Sequence, residues 1–161
     1  SAFAKKLKGF DCEILLYDKY KTGIVGEHIK ESSLYEIYEK ADVVSIHLPL
    51  TQETNNYIDD NFISQFKKNI YIINTARGKC LNTTDLVKHL KTGKLIGACL
   101  DVLEYETVSF ENIDTTTLPE PMQYLLKSEH VILTPHIAGW THESNYKMSK
   151  IIADKMIAVL K

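Results

Sequence analysis

Cysteine is scarce in this chain, and what there is does not pair off. Cys12, Cys80 and Cys99 are three in number. An odd count argues against a disulfide framework, and the spacings match no metal-ligand pattern, so no metal site is expected. Free thiols in a reducing cytosol are the expectation, which places the protein in the cytoplasm. An excess of one charge sign is missing too: the net charge is -2. That leaves no electrostatic ground for nucleic acid or an anionic membrane as partner. No apolar run approaches the roughly 20 residues that a membrane-spanning helix needs. No secretory signal pattern, internal repeat or low-complexity segment is visible.

What is present is 161 residues, 44% apolar and 25% charged, enough for one domain with a real core. Strand and helix patterns alternate. "AFAKKLKGF" (Ala2 to Phe10) has helical spacing, with Gly9 placed to end it. Short apolar runs read as strands at Cys12 to Asp18, Asp42 to Leu50, Asn69 to Thr75, Leu95 to Val102 and His130 to Pro135. Between them, Ser33-x-x-Glu36 reads as a capping box opening a helix to about Lys40. Asn61 to Phe66 suits a short helix, and Asn82 or Thr83 caps another that Gly93 ends. A last helix begins near Thr141, with Met148, Ile151, Ile152, Met156 and Val159 on one apolar face. Strands apolar on both faces, separated by helices, imply a parallel sheet covered on both sides. The stretch from Tyr105 to Glu129 interrupts the pattern and reads as a functional loop with a short helix at "MQYLLKS".

Each of these strands ends on something polar: Asp18, His47 with Pro49, Thr75 with Arg77, Asp101, and His136. In an open parallel sheet, ligands bind outside the carboxyl ends of the strands. Five such ends in series point to one crevice. Arg77 stands four residues after the apolar run "IYII", behind Asn74, Thr75 and Ala76, in a context that reads as buried, beside Gly78.

Three long stretches carry a resemblance. They are "ADVVSIHLPLTQETNNYID", "INTARGKCLNTTDLVKHLKTGKLIGACLDVLEYE" and "VILTPHIAGWTHES". In this order and spacing the chain resembles the D-isomer-specific 2-hydroxyacid dehydrogenases, the family of D-lactate and D-3-phosphoglycerate dehydrogenase. With "AFAKKLKGF" and "LLYD" the resemblance covers nearly the whole chain. Only about Thr107 to Lys127 stands apart.

The resemblance implies a Rossmann-type doubly wound parallel sheet, NAD as cofactor, and a small 2-oxo or 2-hydroxy acid as substrate. It implies that Arg77 pairs with the substrate carboxylate, a task for a planar, permanently charged fork. Gly78 would let the backbone turn sharply beside it. His136 would be the catalytic acid/base, since reduction of a 2-oxo acid needs a hydride to carbon and a proton to oxygen. Glu106 would orient and charge the imidazole, although "EYE" offers Glu104 beside it, and Thr107 stands where the family often has proline. Asp18 would hold the adenosine ribose hydroxyls and repel a 2′-phosphate, with Lys19 and Lys21 nearby as cations that could accommodate one. Leu48, Pro49 and Thr54 resemble the adenine-side contacts, and Thr75, Ala76 and Asp101 the nicotinamide-side ones. Ala138 and Gly139 would let the ring approach closely. His47 is structural or cofactor-adjacent, and Trp140 either walls the substrate pocket or packs the start of the last helix. His28, His89, His130 and His142 carry no role.

The dinucleotide fingerprint G-x-G-x-x-G is absent. In this family "SAFAKKLKGF" directly follows its last glycine, which would put the first glycine about 23 residues before Asp18, close to the expected spacing. The expectation is a partial dinucleotide-binding domain over residues 1–161. Its sheet would lack the first strand, and the substrate domain would lie upstream. Residues 141–161 would form a C-terminal helix directed toward that domain. Such a piece is expected to be poorly stable by itself, or to complete its sheet with another chain, and to be inactive alone. A homodimer is the assembly implied by family analogy. A non-catalytic NAD-sensing corepressor is the alternative function within the family. Formate dehydrogenase is disfavoured because it carries glutamine where Glu106 stands.

Overall fold

A computed structural model describes residues 2–24, 26, 28–105 and 118–160. Its strands are all parallel, but they form two sheets. β1 (Ile14–Leu16) pairs with β2 (Ile29–Glu31). β3 (Val43–Ile46), β4 (Ile70–Asn74), β5 (Leu95–Leu100) and β6 (Val131–Leu133) form the other sheet in that order. β1 and β3 are therefore both edges, and neither is hydrogen-bonded to the other. This α/β architecture carries the parallel strands and intervening helices of a Rossmann-type domain, with the discontinuity at the place expected for a lacking first strand.

Local sequence accounts for most of the helices. α1 (Ala2–Leu7) runs into a 3-10 turn through Phe10, and Asp11, not Gly9, takes the left-handed cap at φ 51°. α2 (Leu34–Lys40) opens on Ser33, whose side chain accepts from the Glu36 amide. The reciprocal half of the capping box does not form, because the Glu36 carboxylate turns to Lys30 and Lys40. Those two ammonium groups pull its carboxyl down to about 2. α3 (Asp60–Ser64) is capped by Asp59, and α4 (Thr83–Lys91) by Asn82, each accepting from a backbone N–H three residues on. α4 ends before Gly93, whose φ of 75° suits glycine. α5 is Glu120–Lys127, and α6 is His142–Leu160.

The strand register explains where the core sits. Ile46, Ile72, Ala98 and Leu100 share one face, together with the buried Asn74. Phe62, Ile63 and Phe66 from α3 and its end, Leu86, Val87 and Leu90 from α4, and Met122 and Leu125 from α5 complete this cluster. At about 25 cal/mol per Å² of apolar area removed from water, this cluster supplies the main favourable term for folding. The other face presents Val43, Tyr71 and Ile132 to solvent, so the cover expected on both sides is not complete among the described residues. α6 likewise has no buried residue, and Ile151, Ile152 and Met156 are each more than half exposed.

Among the described residues, side chains rather than strand pairs reach from the N-terminal segment to the chain after β3. Phe3 of α1 packs on His47 with ring centroids 5.3 Å apart. Lys19 and Tyr20, just after β1, both bind Glu53 in the loop after β3.

Candidate active site

Nearly every residue singled out from the sequence falls just beyond a strand end. The loop after β4 is built most tightly. Asn74 is fully buried, and its side-chain amide donates to the Arg77 carbonyl at 3.1 Å while its oxygen accepts from the Ala76 N–H at 3.1 Å. The backbone through Thr75 is thereby wrapped around one amide. On its far side, Asn56 and Ile58 donate backbone bonds to the Lys79 and Cys80 carbonyls at 2.7 and 3.0 Å. The Cys80 thiol points at the Leu48 and Pro49 carbonyls, so the loops after β3 and β4 touch. Burial pushes that thiol up, which keeps it protonated and unreactive.

Gly78 is present for a different reason from the sharp turn expected. A Cβ there would stand 1.9 Å from the Leu103 carbonyl oxygen and 2.6 Å from the Glu104 nitrogen. Only glycine lets the loop after β4 lie against the chain leaving β5. Arg77 itself is exposed, not buried as its context suggests, and its Nη1 donates to the Ala76 carbonyl at 2.6 Å. Among the described residues no other hydrogen bond engages the guanidinium, and the rest of its donor fork suits a planar anion.

Asp101 joins three strand ends. Its backbone N–H donates to the Asn74 carbonyl at 2.9 Å. Its carboxylate accepts from the Thr134 hydroxyl at 2.6 Å, the Ile137 N–H at 2.9 Å and the Ala138 N–H at 2.9 Å. These bonds enclose His136, which sits at φ 55° between them. Burial alone raises the Asp101 carboxyl, but the Thr134, Ala138 and Ile137 bonds, with His136 nearby, outweigh it and hold it below the ordinary carboxylate range. Three of the roughly four lone-pair positions of Asp101 are thus spent on the His136 loop. Gly139 is exposed, and nothing comes near a Cβ built on it, so no close approach is made there by the described residues. Trp140 is 79% exposed.

At the other end of the row, Asp18 Oδ1 accepts from the Tyr20 and Lys21 amides at 2.9 and 3.0 Å. Those two N–H groups hold its carboxyl below the ordinary carboxylate value, and Oδ2 receives no bond from the described residues. A carboxylate fixed on one oxygen and open on the other suits a vicinal diol such as a ribose. Thr54 uses its hydroxyl within its own turn, donating to the Pro49 carbonyl at 2.6 Å and accepting from the Thr51 N–H at 2.8 Å. It shapes the Leu48–Pro49 segment rather than presenting a free hydroxyl. His47 bonds Ser45 Oγ at 3.0 Å.

Glu106 lies outside the described residues. Its neighbour Glu104 is accounted for: its carboxylate accepts from the Thr83 N–H at 3.0 Å and so serves the N-terminus of α4. Asn74 is the residue that sequence reading passed over. An asparagine ending an apolar strand looks like a turn former, and only its complete burial distinguishes it. Among the described residues no group of His, Cys, Asp or Glu is arranged to hold a metal ion.

Residues 1–138 match the family model described as "D-isomer specific 2-hydroxyacid dehydrogenase, NAD binding domain". A glyoxylate reductase of Thermofilum pendens is 42% identical over 99% of this chain and 45% of its own. A D-lactate dehydrogenase of Lactiplantibacillus plantarum is 33% identical over 88% of this chain and 43% of its own. The chain therefore spans somewhat less than half the length of the curated relatives it matches. Among solved structures, the NAD-complexed D-isomer specific 2-hydroxyacid dehydrogenase of Lactobacillus delbrueckii ssp. bulgaricus superposes with a TM-score of 0.88 at 29% identity, over 99% of this chain and 49% of that one. The Aquifex aeolicus D-lactate dehydrogenase with NAD and lactic acid gives 0.81 at 32% identity, over 98% and 49%. A family model that covers most of the chain, with these relatives, assigns it: the chain belongs to the D-isomer specific 2-hydroxyacid dehydrogenase family and carries that family's NAD-binding fold.

Proposed function

We propose that this chain is the dinucleotide-binding part of an NAD-dependent dehydrogenase acting on a small D-2-hydroxy acid or the matching 2-oxo acid. The observation that carries this reading is the cross-bracing of three strand ends. Asn74 shapes the Arg77 loop, Asp101 bonds to Asn74, and the Asp101 carboxylate shapes the His136 loop. A cationic fork and an imidazole are thereby presented from one end of one sheet. The relatives named above are reductases and dehydrogenases, which favours catalysis over the corepressor alternative.

The nicotinamide, when bound, supplies or accepts the hydride. The protein's own part is positioning and proton transfer. Arg77 pairs with the substrate carboxylate and hydrogen-bonds the carbonyl oxygen, which polarises the carbon. His136, protonated, gives its ring proton to that oxygen as hydride reaches the carbon; in the oxidative direction it takes the proton back. Glu106 orients the imidazole and favours its charged form. Asp18 holds the adenosine ribose, Leu48, Pro49 and Thr54 border the adenine, and Thr75, Ala76, Asp101 and Gly139 border the nicotinamide. In the whole protein the apolar face of α6 packs against a further part or a second copy, consistent with a homodimer. The three free cysteines support a cytoplasmic setting.

The test is NADH consumption by the full-length protein against pyruvate, hydroxypyruvate, glyoxylate, phosphohydroxypyruvate and 2-oxoglutarate. Turnover with one or more of them is expected, falling by about 10²–10⁴ in His136→Asn. NADH binding with no turnover on any member would overturn the catalytic reading.

A further inference from the structure

The turn that follows Asp18 carries two cations, and one of them is committed elsewhere. Lys19 Nζ pairs with Glu53 Oε1, and the Tyr20 hydroxyl donates to Glu53 Oε2. The Lys19 ammonium also lies over the Tyr20 ring, 5.5 Å from its centroid. Both carboxylate oxygens of Glu53 are thus used, each by a different residue of the turn. Lys21 contributes its attraction to Asp18 itself.

An isolated exposed ion pair is worth little, but this one has a held partner. Glu53 sits in a turn locked by the Thr54 hydroxyl on the Pro49 carbonyl and by reciprocal Thr51–Thr54 bonds. That turn continues into the Asn56–Lys79 backbone bond. The carboxylate is therefore offered to Lys19 from a braced loop across the break between the two sheets. Glu53 is held below, and Lys19 above, their ordinary values by this contact.

In dinucleotide sites of this kind an acid selects the ribose diol, and a nearby free cation admits a 2′-phosphate. We propose that Glu53 is a specificity-determining residue: by engaging Lys19 it withholds that cation from a 2′-phosphate and leaves the Asp18 carboxylate to the unphosphorylated ribose. The proposal rests on the reading of Asp18 as the ribose-binding acid. It assigns the NAD preference to two residues on different loops, not to Asp18 alone.

The test is equilibrium binding of NADH and NADPH to the full-length protein, followed by nucleotide fluorescence at low salt. Glu53→Gln removes the charge and keeps the shape. The ratio of NADPH to NADH affinity is expected to rise by about three- to five-fold, the scale of one exposed pair, and the gain to shrink as salt is added. In the Lys19→Ala background the same Glu53→Gln change is expected to leave the ratio where it was. A ratio that does not move in Glu53→Gln overturns the proposal. So does an equal gain without Lys19, which would mean that any lost negative charge suffices. All three variants alter exposed side chains, and superimposable circular dichroism melts show that folding is not the cause. If the unaltered protein binds NADH and the ratio is fixed, only the role of Glu53 falls. If it binds neither dinucleotide, the cofactor reading falls, and this proposal with it.

Discussion

Gly78 lies against Leu103 so closely that a methyl group on it would overlap the Leu103 carbonyl, 1.9 Å from the oxygen and 2.1 Å from the carbon. The obstruction is backbone on both sides, so it cannot be relieved by a rotamer change. Gly78→Ala must push the Arg77 loop away from the chain that leaves β5. Overpacking of this kind costs about 1–3 kcal/mol. A lowered urea midpoint with an unchanged slope, together with a loss in kcat/KM, is the expected result in the full-length protein. A variant of native stability would mean that the two loops are not in contact in solution.

Arg77 has the opposite profile. Its side chain is exposed, and its one bond to the described residues is to the adjacent Ala76 carbonyl. Arg77→Lys should leave stability within about 0.5 kcal/mol, as surface substitutions do. It should lower kcat/KM by roughly 10- to 150-fold, corresponding to loss of about 1.5–3 kcal/mol of charge-assisted hydrogen bonding. Steady-state kinetics and denaturant titration on the same preparation separate the two effects. Wild-type kinetics in the lysine variant would remove Arg77 from the site.

Asp101 ties acid stability to the His136 loop. Its carboxyl is held low in the folded protein, with burial opposing and the Thr134, Ala138 and Ile137 bonds prevailing. A folded-state value below the unfolded one gives stability that is complete above the unfolded value of about 3.9. That contribution is lost as pH falls through the lower folded value. Urea midpoints measured from pH 6 down to pH 3 should therefore drop less steeply in Asp101→Asn than in the wild type. Asparagine at that site also sets an amide N–H against the Ile137 or Ala138 N–H, so the variant should be less stable at pH 7 by about 1–3 kcal/mol. Parallel pH profiles would show that the carboxylate does not depend on these donors.

Residues 1–161 produced by themselves should associate or melt without cooperativity. β1 and β3 are each an unpaired edge, Val43, Tyr71 and Ile132 lie open on one sheet face, and α6 has no buried residue. Sedimentation velocity and calorimetry across a concentration series would check this. A monomer with a sharp, concentration-independent transition would contradict it.

Much of this molecule could be read along the chain, because the signals are local. Apolar runs located five of the six strands among the described residues, and Ser33, Asn82 and Gly93 marked helix ends through bonds or backbone angles that reach only three or four residues. The alternation of strand and helix determined the parallel class. Parallel class in turn determined that Asp18, His47, Arg77, Asp101 and His136 stand beyond strand ends at one edge of their sheets. β2 escaped notice because Ile29–Glu31 is three residues, two of them charged, and exists through its pairing with β1.

What only the tertiary structure decided depends on atoms distant in sequence. The reason for Gly78 is Leu103, 25 positions away in the chain. The role of Asn74 is visible only once the Arg77 loop has closed around its amide. Asp101 is committed to the His136 loop by donors at positions 134, 137 and 138, and Glu104 to the N-terminus of α4. Lys19 finds Glu53 across the break between two sheets. Residue type and spacing carried the chemistry proposed for this chain. Close approach and hydrogen-bond direction, which no linear pattern encodes, decided which groups are spent on architecture and which are left for a ligand.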